Sequence, residues 1–341
     1  MNRRERLEAA IAHKDVDRIP ASVWMHFSAY DQDPRSLAEH QVAFNDKYDY
    51  DYIKLMPFGL YSVQDYGPRI KIEVDPQKTA VVEKPAFETI EGYKNIRPLE
   101  GRHGTHGQTV QIAEHVKRLV GDKTPFMQTV FSPLSTLKKM APGSLLDDMK
   151  EHPEAIHSAL EAITETTINF VTENIKTGVD GFFFATQMST YDVLDDAMHQ
   201  EFVQDYDLKV IDAYKDQTWL NTAHIHGSNI MFKTFSDNYP LPILNWHDRD
   251  TEPSFAEARK ISDKTFMGGI AEFPAIQASG SLAHDGFLND NSAEEIEKHI
   301  HQAIDMVEGK GIIIGPGCVA SPDTAEDKLH AVRKACDSWH Q

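Results

Sequence analysis

Eight short apolar runs bounded by turn residues, most of them separated by helical patterns, limit what this chain can fold into. In order they cover residues 21–26 (ASVWMH), 51–56 (DYIKLM), 125–130 (PFMQTV), 180–185 (DGFFFA), 218–224 (TWLNTAH), 240–246 (PLPILNW), 264–268 (KTFMG) and 311–314 (GIII). Runs this short and continuously apolar read as strands buried on both faces, the pattern of a parallel sheet. Pro240 and Pro242 make the sixth run the weakest strand. Helical patterns occupy residues 34–48, 132–149, 153–177, 198–215, 292–307 and 325–338, the second broken at Pro142-Gly143. Pro153 in a first turn, Gly178 at a stop and the Ser292/Glu295 capping-box spacing mark helix ends.

Alternation of this kind predicts an α/β fold, a single (β/α)8 TIM barrel spanning residues 1–341. A doubly wound sheet with a small second domain is the competing arrangement. The gap between the second and third runs is too long for one helix. Within it, residues 69–74 and 79–83 flank Asp75-Pro76-Gln77-Lys78 and read as an inserted β-hairpin, and residues 101–107 (GRHGTHG) read as a loop.

Charge and composition narrow the function. The net charge of −19 opposes binding to a nucleic-acid backbone, which Lys and Arg supply. No apolar run approaches the roughly 20 residues of a membrane span. The N-terminal stretch reads as an amphipathic helix without the features of an export signal. Cys318 and Cys336 are too few for a disulfide framework. A cytoplasmic enzyme acting on a small molecule is the expectation, with a homodimer as one assembly.

Barrel active sites lie at the C-terminal strand ends, so the residues closing each run are the candidates. His224 and His226, two apart on extended chain, project to the same side. Cys318 follows Gly315-Pro316-Gly317 after the last run. Two imidazoles and a thiolate suit zinc and leave a position for substrate, with Glu272 or Asp248 as a fourth protein ligand. Core histidines and a buried thiol are the plain alternative. His26 reads equally as a packed residue beside Trp24 and as a site residue. Lys54 is costly inside an apolar run unless paired or facing a ligand. Gln187 ends the fourth run, His247 the sixth, and Glu272 follows the seventh. The loop histidines His103 and His106 read as solvated, and Cys336 as a small buried hydrophobe. Asp192, Asp195 and Asp196 read as a helix N-terminus.

Several short motifs recur in an order and spacing that resemble the uroporphyrinogen decarboxylase superfamily over essentially the whole chain. They are Arg4-Glu5-Arg6 with Asp17-Arg18-Ile19-Pro20, then Gly178-Val179-Asp180-Gly181 with Phe182-Phe183-Phe184, then His224-Ile225-His226-Gly227. Asn245-Trp246-His247-Asp248, Gly268-Gly269-Ile270, Gly315-Pro316-Gly317-Cys318 and Pro322-Asp323-Thr324 follow. The resemblance implies a (β/α)8 barrel and two chemistries: decarboxylation of a porphyrinogen, or zinc-dependent methyl transfer from a corrinoid to a thiol. Decarboxylases of the superfamily hold their substrate's acidic arms with an Arg-rich segment after the first strand, yet residues 20–34 here contain no Lys or Arg. The decarboxylase's Phe-Ser-Asp-type turn is also missing, with residues 52–57 (YIKLMP) in its place. The methyltransferase branch uses His-X-Cys and a distal Cys as zinc ligands; His224 and Cys318 match, and His226 replaces the middle Cys. The resemblance therefore implies a methyltransferase with Zn²⁺ on His224, His226 and Cys318. His26, Lys54 and Gln187 would be its catalytic residues, and Trp24, His247 and Glu272 would bind substrate. A corrinoid, such as one carried by a partner protein, or a methylated small molecule would be the methyl donor.

Overall fold

The computed structural model describes residues 1–72, 75, 78–271 and 286–339. Nine strands are present among them: β1 (Ile53–Lys54), β2 (Arg69–Lys71), β3 (Val81–Lys84), β4 (Phe126–Phe131), β5 (Gly181–Thr186), β6 (Thr222–Ile225), β7 (Ile243–Trp246), β8 (Thr265–Ile270) and β9 (Ile312–Pro316). Seven of them form one sheet in the order β1-β4-β5-β6-β7-β8-β9, with every pair parallel. The first apolar run closes this sheet, though it is not the full strand expected. It contributes one bridge, Ala21 to Ile314. The Ser22 N–H donates to Ile314 O (3.0 Å) and the Asp51 N–H to Ala21 O (2.8 Å), so this run lies between β9 and β1. The result is an α/β TIM-barrel-like fold with an irregular eighth stave.

Side-chain alternation along the staves builds two separate cores. One lies inside the barrel and includes Tyr52, Met127, Phe183, Ile243, Met267 and Ile313. The other fills the space between sheet and helices, with Phe126, Phe182, Phe184 and Leu244 among its members. The helix Arg3–Ile11 places Leu7 and Ala10 against the inner core, at the end opposite the C-terminal strand ends. Residues 240–242, with both prolines, precede β7, so the sixth run is a strand after all.

The long insertion differs in part from expectation. β2 and β3 pair antiparallel, with residues of the intervening turn outside the described set. Residues 104–107 are helical, the first turns of Gly104–Val120, where a loop was expected. Asp65 explains the start of this helix, accepting from both the N–H and the Oγ1 of Thr105, at 2.8 and 2.7 Å. His106 is accordingly buried between the rings of Tyr61 and Phe170 and is not solvated. The expected helix over residues 198–215 is three segments, with a π-helical turn at Gln200–Gln204.

Candidate metal centre

β6 and β7 lie in parallel register with His224 opposite Asn245. The same register carries one residue beyond both strand ends, where His226 and His247 stand side by side. Their rings are 5.1 Å apart, and His247 Nε2 lies 3.3 Å from His226 Nδ1. Cys318 reaches this pair because the Gly-Pro-Gly turn passes close under β7. A Cβ on Gly317 would lie 2.9 Å from both Trp246 O and His247 Cα, so only glycine allows that approach. One donor atom from each of His224, His226, His247 and Cys318 falls within 4.8 Å of the others.

Surrounding residues prepare these donors. Asn245 donates from Nδ2 to Met267 O (2.8 Å) and Pro316 O (3.0 Å), which fixes its amide and aims Oδ1 at His224. His224 Nδ1 lies 2.6 Å from that oxygen, so Nδ1 carries the proton and Nε2 keeps its lone pair. Phe183 stacks on the His224 ring at 5.2 Å between centroids. The Trp24 indole N–H donates to the carbonyl of Cys318, tying the last stave to the first. Burial, reinforced by its histidine neighbours, holds His224 well below its ordinary pKa of 6.5. His226 is pushed down to about 4, by burial and then by Lys139 and Lys138. His247 falls to about 3, by burial and then by His226. Three imidazoles are thus neutral at physiological pH, the form that binds metal.

The sequence-derived candidates divide into three groups. His224, His226 and Cys318 come together as expected, and His247, expected to bind substrate, lies within the same group of donor atoms. Asp248 does not join: its Oδ1 accepts from the Gly269 N–H at 2.9 Å, and burial raises its pKa to about 7. Trp24 is buried and positions Cys318 through its backbone. Lys54 points into the barrel, buried, with Nζ 4.5 Å from the centre of the Phe183 ring and 2.7 Å from Met56 Sδ. His26 is half-buried and held down to about 3 by burial, then by Lys54 and Lys139. Gln187 follows β5, its N–H donating to Ser135 Oγ (2.8 Å), and lies outside the four-donor group. Glu272 lies outside the described residues. Asp195 caps a short helix, as expected of that acidic stretch, whereas Asp192 accepts from Ser228 Oγ and Asn229 Nδ2 and ties down the loop after His226.

Sequence reading missed two participants, Asn245 and Lys139. Asn245-X-His247 repeats the spacing of His224-X-His226, and aligning the two would have exposed both Asn245 and the fourth donor. Lys139 sits on the helix Pro133–Met140 that follows β4, and no local pattern distinguishes it from Lys138.

The barrel is shared with solved proteins. A methyltransferase from Methanosarcina mazei superposes with a TM-score of 0.80, covering 100% of both chains at 14% identity. A B12-independent methionine synthase from Shewanella superposes at 0.56, covering 93% of this chain and 92% of its own, at 12% identity. In sequence, the chain is 20% identical to the methylcobamide:CoM methyltransferase MtbA of Methanosarcina mazei, over 94% of each protein. It is 19% identical to the MtbA of Methanosarcina acetivorans, over 92% of this chain and 91% of that protein. Residues 2–339 match the uroporphyrinogen decarboxylase (URO-D) family, so a barrel carrying three histidines and a cysteine at its C-terminal strand ends belongs to that family.

Proposed function

We propose that the protein is a zinc-dependent methyltransferase that moves a methyl group from a corrinoid, free or protein-bound, to an ionisable acceptor such as a thiol. The observation that carries this reading is the four-donor group of His224, His226, His247 and Cys318 at the barrel mouth. Its donors fit zinc: neutral imidazoles and one sulfur, with the second ring nitrogen of His224 already engaged by Asn245. His224, His226 and Cys318 would hold the ion, with His247 as the adjoining donor. Zinc there would stabilise the acceptor as an anion at neutral pH. The similarity to two methylcobamide:CoM methyltransferases supports the reaction type.

The chain's own residues do the rest. Asn245 fixes the His224 tautomer and Trp24 fixes the Cys318 backbone. Phe183 covers one face of His224 and keeps water off it. Lys54 and Lys139 add positive potential at the mouth, which favours an anionic acceptor.

The test is metal content by mass spectrometry on protein purified without a metal-binding tag, beside His226→Ala and Cys318→Ser. About one zinc per wild-type chain, lost in both variants, is expected. Zinc-loaded protein should then demethylate methylcobalamin in the presence of a small thiol, followed by the cobalamin spectrum. A wild type that takes up no zinc when offered it, or one that converts uroporphyrinogen to coproporphyrinogen instead, would overturn the reading.

A further inference from the structure

His226 stands just beyond the sheet. β6 ends at Ile225, and Gly227, the next residue but one, has a left-handed backbone (φ 116°). The segment leaving β5 secures this arm instead. The His226 N–H donates to Thr186 O at 3.0 Å, and the Met231 N–H donates to Ser189 O at 3.1 Å. Between them the Tyr191 N–H donates to Asn229 O at 2.9 Å, and Thr190 forms an antiparallel bridge with Ile230. Residues 186–191 thus lie as a splint along residues 226–231.

A row of buried side chains pins the splint. Thr186 Oγ1 lies 2.8 Å from Ser189 Oγ, which lies 2.9 Å from His199 Nε2, and all three residues are buried. Burial pushes the His199 pKa down to about 4, so its ring is neutral at physiological pH and carries one donor and one acceptor. The π-helical turn Gln200–Gln204 follows His199 directly. Such turns are rare and concentrate at functional positions. On a continuous α-helix Glu201 and Tyr206 would lie about 140° apart around the axis. Here both reach one residue of the helix Pro153–Lys176: His157 Nε2 is 3.1 Å from Glu201 Oε1, and His157 Nδ1 is 2.8 Å from Tyr206 Oη. His157 therefore holds the turn from outside while His199 faces inward.

We infer that His199 is a positioning residue for the donor group: through Ser189 and Thr186 it fixes the place of His226 relative to His224, His247 and Cys318. This role rests on the metal reading of those four donors. His199 itself lies outside the group and acts only through the splint.

Three variants separate the hydrogen bond from the packing. His199→Phe keeps a ring beside Phe235 and loses the bond, His199→Gln keeps an amide for Ser189 Oγ, and Ser189→Ala breaks the row from the other side. In metal-free protein, amide exchange at His226 and Met231 should quicken about tenfold in His199→Phe and Ser189→Ala. It should stay at the wild-type rate in His199→Gln. The double variant His199→Phe/Ser189→Ala should exchange no faster than Ser189→Ala alone, because both changes break one row. Wild-type rates in His199→Phe and Ser189→Ala, or equal acceleration in His199→Phe and His199→Gln, would overturn the inference. Zinc affinity in a chelator competition is the second readout. It should fall about tenfold in His199→Phe and Ser189→Ala and hold in His199→Gln. Faster exchange with unchanged zinc affinity would overturn the inference too. If wild type takes up no zinc, the metal reading fails, and exchange at the two amides still decides whether His199 holds the arm.

Discussion

The two ends of the barrel treat charge in opposite ways. At the N-terminal end, Asp51 is fully buried and receives Arg6 Nη1 at 2.7 Å, Arg18 Nη1 and Nη2 at 2.5 and 2.9 Å, and the Ala21 N–H at 2.9 Å. Asp17 takes the remaining face of Arg6 and is held well below the usual carboxylate range by it. Both oxygens of Asp51 are thereby engaged. At the C-terminal end, three neutral histidines and a cysteine converge, and no carboxylate belongs to the donor group. Satisfied charges lock the stave that closes the barrel; converging donors mark the end where chemistry is placed.

The sharpest way to break this contrast is Asp51→Ala. It removes the buried carboxylate that Arg6 and Arg18 share and should cost about 3–5 kcal/mol in urea unfolding, while zinc content per folded chain stays the same. A loss under about 1 kcal/mol would show that the lower network is not what secures the barrel. Next is Asn245→Ala at the upper end, which frees the His224 tautomer. Zinc affinity in a chelator competition should fall about 10–100-fold, with the fold retained. Unchanged affinity would detach Asn245 from the site.

Asp207 sharpens the comparison from a third position. It is as buried as Asp51 but has Tyr239 Oη at 2.9 Å in place of two arginines, and burial raises its pKa to about 7. Between the ordinary carboxylate value of 3.8 and about 7, the folded state holds a proton that the unfolded state has released. Stability from this group is therefore present at low pH and is lost as pH rises through that window. Asp207→Asn, which does not titrate, should gain on wild type from pH 4 upwards and level off above pH 7, by roughly 1–3 kcal/mol at pH 8. A constant difference across pH would sink that explanation. The smallest effect belongs to the exposed Arg35–Glu39 pair, where Arg35→Gln should leave the Tm unchanged within error.

Much of the fold was legible because its signals are local. A buried parallel strand needs a short apolar run, and six of the eight runs became strands of four or more residues. The first run failed because closing the barrel asks of it only one bridge, the remaining contacts being made by loop hydrogen bonds. The helix at Gly104–Val120 was absent from the expected helices altogether, and what fixes its start is Asp65, about forty residues earlier. His106 looked solvated for the same reason.

Within the site, residue order alone settles that His224 and His226 share a face, since side chains on extended chain alternate with a period of two. It also placed Cys318 behind a turn that only glycine and proline would form. What it did not determine was which strands meet. His247 became a donor, and Asn245 its neighbour's anchor, through the β6–β7 register, a property of the closed sheet. Asp51 became the partner of two arginines through packing between segments far apart in the chain. Periodicity fixes the direction of a side chain, because it follows from backbone geometry within a few residues. Its companions are fixed only when the tertiary fold brings separate staves to one end of the barrel.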